Sequence, residues 1–376
     1  MLQVNWKIEF LKRFDSTFGR LACSVSKLTV TPRKETNKQH PKVLVIRPGG
    51  IGDAALLYPA LKVLREGFQN AEIDVLAEKR NYGILYLCPY IDGLFRYDFK
   101  PPGELLSVLK IKYDIVIDTE QWHRLTSAIS YLTGAPLRVG FATNERAELF
   151  SHTVPYSHED YEVYSFLNLV SSITGEKYGF DGDEPFITVD SSIVSKVAPE
   201  IQGLRKKNKT IVGLFGGATV RERKWGIHRF AQLAKDLLDE GLGIVLIGGK
   251  SDLHDHRRFE EILGKENFLG FVGRTSLMET AAVISLLDLF VTGDTGLMHV
   301  SYGVGTPTVS LFGAGIQKKW APIGKNHIVI NKNLRCSPCT RFGYTPKCPY
   351  GVKCLNDIAV DEVKEAVLTL LLNRRR

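Results

Sequence analysis

The sequence has no long apolar run, no apolar leader and little net charge in its central part. Of its 376 residues 44% are hydrophobic. No run, however, reaches the ~18 consecutive apolar residues that a membrane-spanning helix needs. The N-terminus also lacks the apolar core of a secretory signal, so we expect no export. A chain of this length can form two domains, each with its own core. We therefore expect a cytoplasmic globular protein.

Basic charge is concentrated at the two ends of the chain. Residues 1–42 contain nine Lys or Arg and three Asp or Glu, and the last three residues are all Arg. Because the formal charge of the whole chain is +8, residues 43–373 are close to neutral. A nearly neutral central part argues against a protein that binds nucleic acid through a basic surface. The basic ends instead indicate contact with something anionic.

The N-terminal segment has the pattern of an amphipathic helix. Large apolar residues recur on one helical face, and Lys12, Arg13 and Arg20 lie outside that face. The apolar residues are Trp6, Phe10, Leu11, Phe14, Phe18 and Leu21. Such a helix either lies on an anionic membrane surface or packs on its own domain, and the sequence leaves both interpretations open. Residues 1–41 are predicted to be a basic extension that ends in a linker at 31–41.

Strand and helix signals alternate in two series along the rest of the chain. The predicted strands are 43–47, 72–77, 93–97, 113–118, 136–141, 210–215, 242–247, 267–271, 287–291 and 306–311. The predicted helices between and after them are 53–66, 80–87, 103–111, 123–133, 160–174, 227–240, 252–263, 276–284, 296–303 and 360–372. This alternation is typical of parallel sheets covered by helices in the α/β class.

The two series predict two nucleotide-binding-type domains with a cleft between them. Residues 176–209 are polar and interrupted by Gly and Pro, so we predict the linker there. The N-terminal domain is assigned to 42–190 and the C-terminal domain to 205–376. The second domain includes a Cys-rich segment at 336–354 and the helix at 360–372, which closes the chain.

The first Gly-rich turn is Pro48-Gly-Gly-Ile-Gly-Asp53, directly after a predicted strand. With Ala55 it contains the G-x-G-x-x-A form of the dinucleotide fingerprint. Asp53 argues against a pyrophosphate in this turn, because a carboxylate would repel the diphosphate. A carboxylate above a sheet edge is better explained as a general base. The alternative is that Asp53 is the N-cap of the helix at 53–66.

Two polar loops in the second half suit a diphosphate. Thr219, Arg223 and Lys224 follow the strand that ends at Phe215, so a hydroxyl and two cations come close to a Gly-rich turn. The alternative is an exposed basic turn. In a third loop, Asp252 follows Ile247-Gly-Gly and could accept a hydrogen bond from a ribose hydroxyl.

The most distinctive loop of the second half is Asp294-Thr-Gly-Leu-Met-His299. Thr295 and Gly296 begin a predicted helix whose free N–H groups suit a phosphate. His299 lies one turn into that helix and could contact the same ligand, although a single His at such a position is more often structural.

Four of the six cysteines form a cluster, at Cys336, Cys339, Cys348 and Cys354. Disulfides are rare in the cytoplasm, so clustered cysteines favour a metal. Four thiolates suit a tetrahedral structural site for zinc or iron. The spacing is not that of a standard zinc ribbon, and reduced thiols or disulfides are the alternatives.

Taken together, these motifs resemble glycosyltransferase family 9, the ADP-heptose:lipopolysaccharide heptosyltransferases. The resemblance runs from about Lys42 to the C-terminus. The stretches that carry it are Arg47–Asp53, Phe215–Thr219 with Arg223–Trp225, Ile247–Gly249, and Asp294–His299 with Gly305–Val309. Their order and spacing together are specific, although each stretch alone is not.

The resemblance implies a GT-B architecture, in which two Rossmann-like parallel-sheet domains face each other across a cleft. It implies an inverting transfer of heptose from ADP-heptose to a lipopolysaccharide core acceptor without a catalytic metal. The absence of an Asp-x-Asp motif from residues 205–376 agrees with this. The protein would then work in the cytoplasm, peripherally at the inner face of the inner membrane.

The resemblance also implies roles for single residues. Asp53 would be the base, and Gly50 and Gly52 would shape the loop on the acceptor side. The donor would be bound by Thr219, Arg223, Lys224, Asp252, Asp294, Thr295, Gly296 and His299. Family members with a Cys-rich tail occur, so the four cysteines fit the family without defining its chemistry.

This sequence also departs from the family pattern. Many members have Ser-Leu-Gly-Asp where this chain has Gly-Ile-Gly-Asp, a Lys in place of Arg223, and a Pro in place of Gly226. The alternatives that remain are a GT-B-type sugar-nucleotide epimerase, a non-catalytic nucleotide-sugar-binding protein, and an NAD-dependent oxidoreductase, against which Asp53 argues.

Overall fold

The computed structural model describes residues 6–35, 39–97, 103–341 and 343–374, and for residues 6–14, 16 and 17 it describes the backbone alone. The chain divides into two compact units, Met1–Phe180 and Asp181–Arg376. Each unit has one six-stranded sheet in which all the pairings are parallel. Among the described helices, none is long and apolar enough to span a bilayer.

The first unit begins with a long helix and continues as an alternating α/β fold. Its helices are α1 (Trp6–Thr29), α2 (Ile51–Leu56), α3 (Tyr58–Gly67), α4 (Lys79–Leu85), α5 (Gly103–Lys110), α6 (Leu125–Leu132) and α7 (Glu162–Thr174). Its strands are β1 (Lys42–Arg47), β2 (Glu72–Ala77), β3 (Gly93–Arg96), β4 (Ile115–Asp118), β5 (Leu137–Phe141) and β6 (His152–Val154). The strand order is β3-β2-β1-β4-β5-β6.

The second unit also alternates helices and strands. Its helices are α8 (Ser191–Lys207), α9 (Ile227–Asp239), α10 (Leu253–Leu263), α11 (Leu277–Ser285), α12 (Gly296–Gly303), α13 (Gln317–Trp320), α14 (Lys353–Asn356) and α15 (Val360–Asn373). Its strands are β7 (Ile211–Phe215), β8 (Gly243–Leu246), β9 (Leu269–Gly270), β10 (Leu289–Gly293), β11 (Thr308–Phe312) and β12 (His327–Asn331). The strand order is β12-β11-β10-β7-β8-β9.

The two sheets have the same topology. From one edge, the order in each unit is third, second, first, fourth, fifth and sixth strand. The chain therefore reverses direction across the sheet between β1 and β4 in the first unit and between β7 and β10 in the second. In open parallel sheets, ligands bind at the carboxyl ends of the strands at this switch point. The predicted α/β class with two Rossmann-like sheets is confirmed.

The central strands are continuous apolar runs because both faces of a parallel sheet are covered. In β1, residues 43–46 are almost completely buried, and β7 and β10 are buried along their whole length. All the predicted strands are present, with ends that differ by at most two residues. The shortest of them is β9, which is limited to Leu269–Gly270.

The structure differs from the sequence prediction in several places. The helix predicted at 53–66 is two helices that meet at Leu57, because Pro59 has no N–H to donate to the preceding turn. The linker predicted at 176–209 contains α8, which buries only Val197 and Ile201 and so gives a weak apolar signal. The edge strands β6 and β12 and the short helices α13 and α14 were not predicted.

Candidate functional site

The turn after β1 brings Asp53 to the switch point of the first sheet. β1 ends at Arg47, and Gly49 has a φ of +96°, which favours glycine. Gly50 is the N-cap of α2, the neighbouring Gly52 is buried, and Asp53 lies in the first turn. The alternative that Asp53 is itself the N-cap is therefore wrong. A Cβ added at Gly50 would lie only 3.5 Å from Oδ2 of Asp53, so the carboxylate of Asp53 lies back over the turn.

Arg47 joins the loops that follow β1 and β4. Its side chain is almost completely buried, and its Nη1 donates to the carbonyl of Thr119 at 2.9 Å. Its Nε donates to the carbonyl of Pro48 at 2.6 Å, and its Nη2 lies 3.6 Å from Glu120 Oε2. The guanidinium also stacks over the ring of Phe166. The two loops of the switch point are thus held together by one cation.

The environment of Asp53 favours its protonated form more than water would. Burial raises the pKa of Asp53 most, Arg47 lowers it, and the charges of Glu162 and Glu120 raise it again, so that its pKa is about 6. A carboxyl with this pKa is ionised at neutral pH and is a stronger base than an ordinary aspartate. This arrangement suits the removal of a proton from a hydroxyl.

Glu120 and Glu162 are the charged neighbours that sequence reasoning missed. Burial would raise the pKa of Glu120, but His123, Arg47 and Arg146 outweigh it and hold the pKa at about 2. Glu162 is fully buried. Its Oε1 accepts from Gln121 at 2.6 Å and its Oε2 from the hydroxyl of Tyr156 at 3.2 Å.

A signal for one of these residues was present in the sequence. Glu120 lies two residues after the end of the predicted strand at Asp118. A second strand of the first half is therefore also followed by a polar residue. Glu162 reaches the site from the start of α7, which lies 42 residues further along the chain. No local pattern connects it to β4, so its position could not be read from the sequence.

In the second unit, Arg223 and Asp294 bring together the loops after β7 and β10. Arg223 Nη1 lies 3.3 Å from Asp294 Oδ2, and its Nη2 donates to Thr340 Oγ1 at 3.4 Å. Asp294 is buried, yet its Oδ2 has no hydrogen-bond partner, and neither has Arg223 Nε. A Cβ at Gly315 would lie 1.9 Å from that same Oδ2, so only glycine fits there. The site therefore contains buried polar atoms whose hydrogen-bonding capacity is unused.

His299 lies one turn into α12, close to this pair. Its side chain is almost completely buried, and its Nδ1 has no hydrogen-bond partner. Burial and then the charge of Arg223 lower the pKa of His299 to about 3, so the imidazole is neutral at physiological pH. Thr295 is the N-cap of α12, with its Oγ1 3.2 Å from Thr292 Oγ1, and Gly296 is the first helical residue. A ligand at this helix start would meet N–H groups, a neutral imidazole and a cation.

The remaining predicted donor residues lie in the loops after β7 and β8. Asp252 accepts from the N–H of Gly249 at 2.9 Å, and burial raises its pKa. A Cβ at Gly217 would lie 2.6 Å from Asp252 Oδ1, so these two loops touch. Thr219 is exposed. Lys224 is directed to Asp255, at 3.0 Å, so Arg223 is the cation that reaches Asp294.

The four clustered cysteines do not form a metal centre in the structure. In the described part of the chain, which includes Cys336, Cys339, Cys348 and Cys354, no group of three or more His, Cys, Asp or Glu could hold a metal ion. All four are free thiols. The sulfur of Cys348 accepts from the N–H of Val352, and Cys354 is buried against Gly313. The structure thus gives no support to the zinc or iron site that the spacing suggested.

Comparison with known proteins relates this geometry to a family. The profile of "Glycosyltransferase family 9 (heptosyltransferase)" matches residues 104–348. The chain is similar to lipooligosaccharide heptosyltransferase 2 of Campylobacter jejuni, with 22% identity over 335 residues that cover 88% of this chain and 99% of the relative.

Two solved structures have the same fold. The ADP-heptose lipopolysaccharide heptosyltransferase II of Escherichia coli superposes with a TM-score of 0.72 and 22% identity, covering 89% of this chain and all of that one. A second E. coli heptosyltransferase, solved with ADP-2-deoxy-2-fluoro heptose, superposes with a TM-score of 0.66 and 17% identity over 87% of this chain and 99% of its own. The profile match covers well over half of the sequence. The chain belongs to glycosyltransferase family 9 and is a glycosyltransferase of the heptosyltransferase type.

Proposed function

We propose that the protein transfers heptose from ADP-heptose to a lipopolysaccharide core acceptor, with inversion at the anomeric carbon. The observation that carries the proposal is the set of Arg223, Asp294 and His299 at the switch point of the second sheet, where buried polar atoms lack partners. Relatives named as lipopolysaccharide and lipooligosaccharide heptosyltransferases, and a similar structure that contains an ADP-heptose analogue, support the substrate class.

The second unit would hold the donor. The free N–H groups at the start of α12 and the guanidinium of Arg223 would stabilise the charge that develops on the departing diphosphate. Thr219 and Lys224 would contribute at the edge of the site, and Asp252 would accept from a ribose hydroxyl. The neutral His299 would orient a phosphate or sugar oxygen by hydrogen bonding without adding charge.

The first unit would supply the base. Asp53 would remove the proton from the acceptor hydroxyl as its oxygen attacks the anomeric carbon and ADP leaves. A single displacement of this kind inverts that carbon. A pKa of about 6 keeps Asp53 ionised at neutral pH while making it more basic than an exposed aspartate. Gly50 and Gly52 would shape the loop that the acceptor approaches.

We propose that this transfer needs no divalent metal ion. Neutralisation of the diphosphate is the usual task of such an ion, and Arg223 and the N-terminus of α12 are placed to perform it. The proposal is checked by measuring turnover after removal of divalent metals with a chelator. Unchanged turnover supports it, and turnover that returns only on addition of Mg²⁺ or Mn²⁺ contradicts it.

A lipid-linked core acceptor would place the reaction in the cytoplasm at the inner face of the inner membrane. The protein would work there as a peripheral protein. The basic N-terminal segment is consistent with an anionic surface of this kind.

The direct test is incubation with ADP-heptose and deacylated lipopolysaccharide core that lacks terminal heptose. Mass spectrometry should show the gain of one heptose by the acceptor together with release of ADP. Loss of heptose to water or its rearrangement without an acceptor would instead indicate a hydrolase or an epimerase. Tight binding of ADP-heptose without turnover on any core acceptor would indicate a binding protein.

A further inference from the structure

Helix α1 packs on the rest of the first unit through small and polar residues. Asp15 Oδ1 accepts from the N–H groups of Arg124 and Leu125, both at 2.8 Å, and so caps the start of α6. Gly19 allows a close approach, because a Cβ there would lie 2.9 Å from Cβ of Arg124. Cys23 is buried in the same contact. These contacts determine which side of α1 faces the domain.

Two ion pairs fix the rotation of the helix further. Arg20 Nε lies 2.8 Å from Glu145 Oε1, and Lys27 Nζ lies 2.5 Å from Glu148 Oε2. Arg20 and Lys27 are seven residues apart and so lie on one side of the helix. Single exposed ion pairs contribute little stability, but together with the buried cap they specify one orientation of α1.

The apolar side of α1 faces solvent as a result. Phe18, Leu21, Val25 and Leu28 are 52%, 58%, 46% and 86% exposed. Their spacing of three, four and three residues places them in one stripe along the helix. A surface helix of a soluble protein normally buries such a stripe. This helix instead buries Asp15, Gly19 and Cys23 and leaves large apolar side chains outside.

We propose that this stripe, Phe18 with Leu21, Val25 and Leu28, is the surface by which the protein inserts into an anionic lipid bilayer. A helix that lies in the membrane interface needs one apolar side, a polar side and basic residues nearby, and residues 1–42 contain nine Lys or Arg against three acidic residues. Among the nine, Arg20 and Lys27 are paired with Glu145 and Glu148, and the segment as a whole remains basic. A second copy of this chain would bring an equally basic segment against the stripe. Charge therefore favours acidic lipid over self-association.

The inference does not depend on which sugar is transferred. The prediction that Trp6, Phe10, Leu11 and Phe14 continue the stripe falls on side chains that lie outside those described. The apolar stripe of the proposal accordingly uses only the part of α1 whose side chains the structure describes, and the basic residues are counted from the sequence.

The experiment measures co-sedimentation of the full chain with phosphatidylethanolamine and phosphatidylglycerol vesicles. The test variant combines Leu21→Ser, Val25→Ser and Leu28→Ser. Because these side chains are exposed, the variant should fold like the wild type, which its melting temperature checks. We expect its partitioning into the vesicles to fall at least about tenfold, since three apolar contacts with the bilayer are lost. Phosphatidylcholine vesicles should bind the wild type more weakly.

The matched control combines Leu253→Ser, Ile262→Ser and Leu372→Ser, which replaces three apolar residues of the second unit that are 43%, 46% and 61% exposed. It should bind vesicles like the wild type. The proposal fails if the wild type does not bind anionic vesicles, or if the stripe variant binds as well as the control. It also fails if sedimentation velocity shows a dimer for the wild type and a monomer for the stripe variant.

The same proteins separate this inference from the proposed function. With ADP-heptose and the soluble deacylated acceptor, the stripe variant should turn over at the wild-type rate. Loss of vesicle binding with full turnover supports the surface without affecting the transferase proposal. Absence of turnover in the wild type contradicts the transferase proposal. The membrane proposal is then still supported or contradicted by the vesicle assay, which does not depend on turnover.

Discussion

Arg223 Nη1 and Asp294 Oδ2 lie 3.3 Å apart and connect the loops that follow β7 and β10. The contact places a cation beside a buried carboxylate at the switch point of a parallel sheet. The contact is an ion pair without hydrogen-bond geometry: Asp294 Oδ2 accepts no hydrogen bond and Arg223 Nε donates none, so both groups keep unused hydrogen-bonding capacity. A pair of this kind can bind a ligand that supplies both an anionic and a hydroxyl group, as a nucleotide sugar does.

Replacing Arg223 tests the cation of this pair. Arg223→Ala should weaken the binding of ADP by about 10- to 100-fold, because a charged hydrogen bond to phosphate contributes about 1.5–3 kcal/mol. Arg223→Lys keeps the charge and should recover much of the affinity. Arg221→Ala, an exposed neighbour, is the control. Isothermal titration with ADP measures all three, and equal affinities in the two alanine variants would exclude this role.

The close approach of Gly315 to Asp294 gives a second prediction. In Gly315→Ala, the new Cβ would start 1.9 Å from Asp294 Oδ2 and must displace the carboxylate. We expect at least tenfold weaker ADP binding and a loss of stability of about 1–3 kcal/mol. Gly203→Ala on α8 meets open space and should be neutral or slightly stabilising. Unchanged ADP affinity in Gly315→Ala would show that the position of Asp294 does not matter.

The charge of Glu162 should control the pH dependence of turnover. With Asp53 as base and a pKa of about 6 in the ligand-free chain, kcat/KM should fall about tenfold per pH unit below that value. Glu162→Gln removes a negative charge that raises the pKa of Asp53, so the acidic limb should move to lower pH. Glu66→Gln, an exposed carboxylate of the same unit, is the control. An acidic limb that stays in place in Glu162→Gln would argue against this coupling.

Asp53 should also lower the stability of the protein at neutral pH. Its pKa is about 6 in the folded chain, against about 3.9 when unfolded. The stabilising contribution of the protonated carboxyl is therefore complete below about pH 4 and is lost as the pH rises through about 6. Asp53→Asn should be more stable than the wild type at pH 7.5, by about 1–3 kcal/mol, and equal to it near pH 4. Urea unfolding at both pH values measures this, and a less stable variant at pH 7.5 would contradict the pKa.

Much of the fold could be predicted because parallel strands buried on both faces have a strong apolar signal. β1 and β7 follow directly from their runs of Val, Leu, Ile and Phe. The helix α8 could not be predicted in the same way, since it has Pro199, Gly203 and only two buried residues. The short β6 leaves two of its three residues exposed and has almost no pattern.

Functional residues of the candidate site could be predicted where they lie in one loop, and could not where several segments of the chain bring them together. Asp53 and Asp294 stand in Gly-rich turns after strands, and the topology places both turns at switch points. Glu162 belongs to the surroundings of Asp53 only through the packing of α7. Sequence spacing alone favoured a metal at the four cysteines, whereas their actual positions do not form a site for one.

Acceptor-dependent release of ADP from ADP-heptose by wild type and Asp53→Asn tests the central claim most directly. Asn keeps the size of Asp but cannot take a proton, so the variant should bind ADP-heptose normally while its turnover falls by about a thousandfold or more. Glu66→Gln should retain full activity. Turnover in Asp53→Asn within a few fold of the wild type would show that another group is the base.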